Sequence, residues 1–165
     1  MKLSLADAAA TEALGAAIAN AFGNRAGVVI YLRGNLGAGK TTLARGLLRS
    51  LGVTGTIRSP TYTLLEHYRN AGRNVLHLDL YRLTDPLELT NLGLSDFPSS
   101  ENWWLIEWPE RGGALLPAAD LELQLSVCDA GRAASMRFAS ESEAAALLGV
   151  VEGATSSVSN NLLKE

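Results

Sequence analysis

Lysine is nearly missing from a chain that is otherwise ordinarily charged. Of 14 basic residues in 165, only Lys2, Lys40 and Lys164 are lysines. Cysteine is scarcer still, since Cys128 stands alone. That excludes an internal disulfide, and with two histidines and no Cys/His cluster it excludes a structural zinc site of the usual kind. A reducing, cytoplasmic setting suits such a chain. No stretch approaches the ~18 uninterrupted apolar residues of a membrane span. The N-terminus has one lysine and no long apolar run, so neither a transmembrane helix nor a signal peptide is expected. Positive charge is not in excess either: the net charge is −3 and the pI about 5.4. A protein that grips nucleic acid by itself usually carries a basic patch, so any RNA contact is expected through a partner. There is no internal repeat. The 47% hydrophobic composition reads as one globular domain over residues 1–150. A polar, Ser/Asn-rich tail over 151–165 is expected to fray.

One of the three lysines stands in the stretch that organises the chain. Gly34-Asn35-Leu36-Gly37-Ala38-Gly39-Lys40-Thr41 fits the pattern G-x-x-x-x-G-K-[ST] in full. The apolar run Val28-Val29-Ile30-Tyr31-Leu32 precedes it, and a helical run from Thr42 to Leu48 follows. This strand–loop–helix context separates a phosphate cradle from an ordinary glycine-rich turn. The expected cradle is Leu36, Gly37, Ala38, Gly39, Lys40, Thr41 and Thr42, with backbone N–H groups turned inward at a helix N-terminus. Lys40 supplies a slim ammonium for the β- and γ-phosphates where a guanidinium is too broad. The Thr41 hydroxyl is the expected Mg²⁺ ligand.

The flanking pattern predicts an α/β domain. Asp7 caps an alanine-rich helix over 7–22, with Leu14, Ile18 and Phe22 on one face, ended by Gly23-Asn24. The helix after the loop runs to about Leu51 and stops at Gly52. Thr61–Tyr68 and Val75–Tyr81 read as an antiparallel pair about a turn at Asn70–Asn74. Pro86 opens a short helix. Trp103–Ile106 reads as a buried strand that delivers Glu107 at its end, and Arg111-Gly112-Gly113 as a flexible link. Leu121–Val127 and Ala134–Ala139 form a hairpin, followed by a short helix over Glu141–Leu148. The expected whole is a mixed, mainly parallel sheet flanked by helices.

A phosphate loop needs a second acid, usually at the end of a neighbouring strand. Glu107 has the strand-end context, and Asp79 has the richer neighbourhood of His77, Tyr81 and Arg82. The residues alone do not decide which orients a water. Thr61, in Ser59-Pro60-Thr61, lies where a switch could sense the γ-phosphate. His67 and His77 have no partner at ligand spacing and read as structural or hydrogen-bonding groups. Trp103 and Trp104 read as core, whereas Trp108 directly follows the candidate metal acid. The Asn-Lys-x-Asp signature of guanine recognition is absent, which favours ATP. The Leu-Ser-Gly-Gly signature of transporter ATPases is absent too.

Four motifs occur in order: Gly34–Thr42, Ser59-Pro60-Thr61-Tyr62, His77-Leu78-Asp79-Leu80-Tyr81-Arg82-Leu83 and Leu105-Ile106-Glu107-Trp108-Pro109-Glu110. Together they resemble the bacterial TsaE family, small ATPases of the tRNA threonylcarbamoyladenosine (t6A) pathway, over roughly residues 5–139. The resemblance implies a single P-loop NTPase domain that binds ATP and Mg²⁺ and hydrolyses weakly alone. It implies two sugar-kinase-like partners, of TsaB and TsaD type, one of which carries the transferase site for the adenosine beside the anticodon. The family member is not the transferase, and its ATP cycle resets the complex. By position, Lys40 corresponds to the phosphate-binding lysine and Thr41 and Glu107 to the Mg²⁺ ligands. Asp79 corresponds to the acid needed for hydrolysis, Thr61 to the switch-like threonine and Trp108 to the tryptophan beside the metal acid. The family's N-terminal segment and C-terminal arginine correspond to Ala8 to Thr11 and to Arg132. Ala8 replaces a commonly acidic residue, which leaves at most a backbone contact there.

Two other function classes compete. A small-molecule P-loop kinase shares the loop, but the chain has no arginine-rich lid and no evident acceptor site. A non-catalytic nucleotide-binding adaptor would not need both Asp79 and Glu107.

Overall fold

A computed structural model describes residues 1–23, 25–70, 72–129 and 131–150. The expected tail from 151 onward lies outside them, as do the turn positions Asn24, Ala71 and Ala130. The elements run β1 (Lys2–Leu5), α1 (Ala8–Phe22), β2 (Val28–Arg33), α2 (Lys40–Ser50), β3 (Leu65–Asn70), β4 (Arg73–Asp79), β5 (Trp103–Glu107), β6 (Leu121–Cys128) and β7 (Gly131–Phe138). Short 3₁₀ turns lie between β4 and β6, and residues 141–150 are helical.

The seven strands form one sheet in the order β1-β7-β6-β2-β5-β4-β3. The four central strands pair in parallel, and β1–β7, β6–β7 and β3–β4 are antiparallel. The sheet is therefore mixed but not mainly parallel. Parallel neighbours need long crossovers whereas a hairpin needs a short turn, and both chain-ordered pairs at the sheet flanks are hairpins.

α1 and α2 cover one face, packing Leu14, Ile18, Leu43 and Leu47 on Val28, Ile30, Leu32 and Leu105. The opposite face buries Val29, Leu76, Leu78, Trp104 and Ile106 under the segments carrying Leu83, Leu89 and Leu116. Trp103 and Trp104 split between the faces, as period-2 alternation requires. Each indole N–H donates to a backbone carbonyl, Arg25 O and Phe97 O, both at 3.0 Å. Asp7 caps α1 by accepting from Ala10 N at 2.8 Å. Among the described residues no helix is long and apolar enough to cross a membrane.

The strand limits differ from those read off the sequence. β3 begins at Leu65, not Thr61. Residues 61–63 form a turn, Leu64 sits at φ 63°, and its N–H donates to Pro60 O at 2.7 Å. The β-propensity of Thr-Tyr-Thr is overridden by this turn. β4 begins at Arg73 and ends on Asp79. The expected link at 111–113 is instead bounded by two 3₁₀ turns, Pro109–Arg111 and Gly113–Leu115. β1 has no counterpart in the sequence reading. It is four residues long and is held by pairing with β7, Leu5 opposite Arg132.

Candidate functional site

β2, β5 and β4 end side by side, and their register sets Leu32 beside Glu107 and Glu107 beside Asp79. Two carboxylates thus stand on neighbouring strand ends, at the edge where β2 turns into the Gly34–Thr41 loop. The loop needs glycine: Gly34, Gly37 and Gly39 have φ of 137°, 78° and 105°. At Gly39 a Cβ would also lie 2.9 Å from Arg132 Nε.

α2 starts on this loop with Gly39 as its N-cap and no side-chain cap. Leu43 N–H donates to Gly39 O at 2.9 Å. The amides of Lys40, Thr41 and Thr42, one turn earlier, are the orphan donors that every uncapped helix start leaves. Such a terminus favours an anion. Lys40 Nζ donates to Gly34 O (2.8 Å) and Asn35 O (3.1 Å) and lies 4.2 Å above the Trp108 ring. Burial pushes its pKa below the ordinary lysine range, opposed by Glu107, Asp79 and Glu110.

Thr41 Oγ1 donates to Glu107 Oε1 at 3.0 Å. The same Oε1 lies 3.0 Å from His77 Nε2. Asp79 is engaged on both oxygens: Oδ2 accepts from Thr61 Oγ1 (2.5 Å) and Ser59 Oγ (3.1 Å), and Oδ1 from Tyr81 N–H (3.0 Å). Glu107 and Asp79 are 2% and 3% exposed, so neither is a carboxylate that merely faces water. Trp108 takes the left-handed region at φ 57°, its N–H donates to Leu32 O at 3.2 Å, and its ring meets Tyr81 at 5.1 Å.

Lys40, Thr41, Glu107, Asp79, Ser59, Thr61, Tyr81 and Trp108 line one cleft of about 250 Å³. It is smaller than the about 300–1,000 Å³ of a typical ligand pocket and too small to enclose a whole nucleotide. Leu36, Gly37, Gly39, Thr42 and Arg132 also line it. Ala38, Ala8 and Thr11 do not. Ala38 is buried, and Ala8 is exposed at the start of α1. Thr11 is buried, its hydroxyl donating to Asp7 O at 2.8 Å. Its methyl lies 3.6 Å from where a Gly39 Cβ would stand, so it supports the loop from beneath.

No group of three or more His, Cys, Asp or Glu suited to a metal occurs among the described residues. Thr41 and Glu107 nevertheless put two hard oxygen donors together beside an anion-ready helix start. That fits Mg²⁺, which uses few protein ligands and completes its shell with water and phosphate.

Neither the places of Ser59 and Tyr81 in the cleft nor the His77–Glu107 bond follows from the sequence pattern. The signal for His77 is its parity with Val75 and Asp79 on β4, a polar residue where the inward pattern asks for an apolar one.

A model of the family described as "Threonylcarbamoyl adenosine biosynthesis protein TsaE" matches residues 5–134. The chain is 48% identical to the tRNA threonylcarbamoyladenosine biosynthesis protein TsaE of Haemophilus influenzae over 105 residues, covering 64% of this chain and 66% of that one. It is 43% identical to the protein of that name from Synechocystis over 115 residues, covering 67% and 71%. These matches span about two thirds of the relatives' own length. The crystal structure of Bacillus subtilis YdiB superposes with a TM-score of 0.73 at 25% identity, over 93% of this chain and 95% of that one.

Proposed function

The chain belongs to the TsaE family of threonylcarbamoyl adenosine biosynthesis proteins, and from that premise we propose that it serves tRNA t6A biosynthesis as a Mg²⁺-dependent ATP hydrolase. On this reading residues 1–150 are one P-loop NTPase domain acting in the cytoplasm. Two sugar-kinase-like partners, of TsaB and TsaD type, carry the transfer to the adenosine beside the anticodon, and tRNA is met only through them. The observation that supports it best is the joining of three orphan α2 amides, Lys40, the Thr41–Glu107 pair and Asp79 in one cleft.

The proposed roles follow from donor type and position. The amides of Lys40, Thr41 and Thr42 cradle phosphate oxygens. Lys40 exchanges the Gly34 and Asn35 carbonyls for the β- and γ-phosphates, and Trp108 limits where its ammonium can go. Thr41 and Glu107 hold Mg²⁺, which when bound neutralises charge on the transferring phosphoryl group. Asp79, fixed by Ser59, Thr61 and Tyr81, orients the attacking water, and Thr61 links that acid to the loop that senses the nucleotide. Arg132 reaches the cleft beside Gly39. On this reading catalysis is slow until a partner completes the cleft. Elsewhere an arginine supplied in trans is worth about 10³–10⁵ in rate.

The test is ATP hydrolysis by the purified chain, alone and with both partners, with and without Mg²⁺. Slow turnover alone, strong stimulation by the partners, dependence on Mg²⁺ and a loss of about 10²–10³-fold in Lys40→Ala are expected. Fast turnover with a small phosphate acceptor and no partner would overturn the reading in favour of a kinase.

A further inference from the structure

His77 is fully buried at 0% exposure, on the β4 face that packs beneath α2. Its register neighbour on β5 is Leu105, and Glu107 lies two residues further along. A diagonal pair on one sheet face is within reach of long side chains, and His77 Nε2 meets Glu107 Oε1 at 3.0 Å. Towards an ionised carboxylate, which only accepts, Nε2 is the donor. Nδ1 is buried with no hydrogen-bond partner among the described residues. A histidine kept for packing alone would do neither thing. Leucine at this position would continue the apolar pattern of Val75 and Leu105 without leaving an orphan atom. A buried polar group retained at such a cost calls for a functional reason.

The bond supplies one. Glu107 Oε1 is held from two sides, by Thr41 from the helix start and by His77 from within the sheet. Thr41 can donate its one O–H to Glu107 while a lone pair faces a cation, but it sits at the end of the loop itself. His77 is independent of the loop, rigid and behind the carboxylate. We propose that His77 is a positioning residue that aims Glu107 into the divalent-cation site. The inference rests on the nucleotide reading above.

The test is Mn²⁺ binding by electron paramagnetic resonance, with a non-hydrolysable ATP analogue, alongside thermal unfolding of the same full chains. His77→Leu is expected to unfold at an unchanged or higher temperature yet bind Mn²⁺ about 10–100-fold more weakly, the usual loss for a group that orients a metal ligand. His77→Gln, whose amide keeps a donor towards Glu107, is expected to restore most of the affinity. His77→Asn is too short to reach and is expected to lose it, which covers the case where leucine is not tolerated. Glu107→Gln separates the two levels of argument. If it weakens Mn²⁺ binding while His77→Leu and His77→Asn do not, the positioning role is overturned alone. If Glu107→Gln leaves the affinity unchanged, the cation-site reading falls and the inference falls with it.

Discussion

Single side chains here show how burial sets chemistry. Lys40 is buried against Trp108 and two loop carbonyls, and its depressed pKa reflects lost hydration before any neighbouring charge. Glu143 shows the same effect away from the cleft. One of its oxygens accepts from Arg25, and the other, Oε2, is buried without a partner among the described residues. Burial, the largest cause, raises its pKa above the ordinary glutamate range; Arg25 opposes this and Asp120 adds to it. The folded chain therefore holds this proton more tightly than the unfolded chain. The group's contribution to stability is present below about pH 4.5 and is lost as pH rises through the folded value. Urea midpoints of the wild type and Glu143→Gln across pH 4–7 check this, the variant losing that part of the decline.

At the scale of elements, the loop is presented by α2, and α2 is seated by its contact with α1. That contact is backbone to backbone. A Cβ on Gly15 would lie 2.2 Å from Leu43 O, and one on Gly46 would lie 2.0 Å from Glu12 O. Alanine is favoured over glycine within a helix by about 1 kcal/mol. Overpacking costs about 1–3 kcal/mol, and a carbonyl in a helix cannot swing aside as a side chain can. The steric cost wins. Gly15→Ala is expected to lower the unfolding free energy by up to about 2 kcal/mol net of the helix gain. Because Leu43 lies in the same first turn as Thr41 and Thr42, the same variant is expected to weaken binding of an ATP analogue, measured by calorimetry. Both helices were legible in the sequence, since capping and 3.6-residue periodicity are local. The start of β3 was not, because the turn at Thr61 is held by Asp79, 18 residues away. β1 was hidden for a similar reason: its pairing partner lies beyond residue 130.

For the whole molecule, the charge balance predicts dependence on partners. With a net charge of −3, the chain alone is expected to bind tRNA more weakly than about 10⁻⁴ M at physiological salt, the weak end of ordinary non-specific binding. Filter binding with and without the two proposed partners checks this, and tight binding by the chain alone would contradict it. The sequence by itself determined the loop, the helix behind it, the apolar strands and the family, because each is written in contiguous residues whose spacing carries the physics. Tertiary structure alone added the antiparallel β1–β7 pairing and decided that Asp79 and Glu107 stand side by side. It alone set Thr11 beneath the loop rather than in the cleft, and put a histidine behind Glu107. Those relations join residues far apart in the chain, and they exist only once strand register has brought their ends to one edge of the sheet.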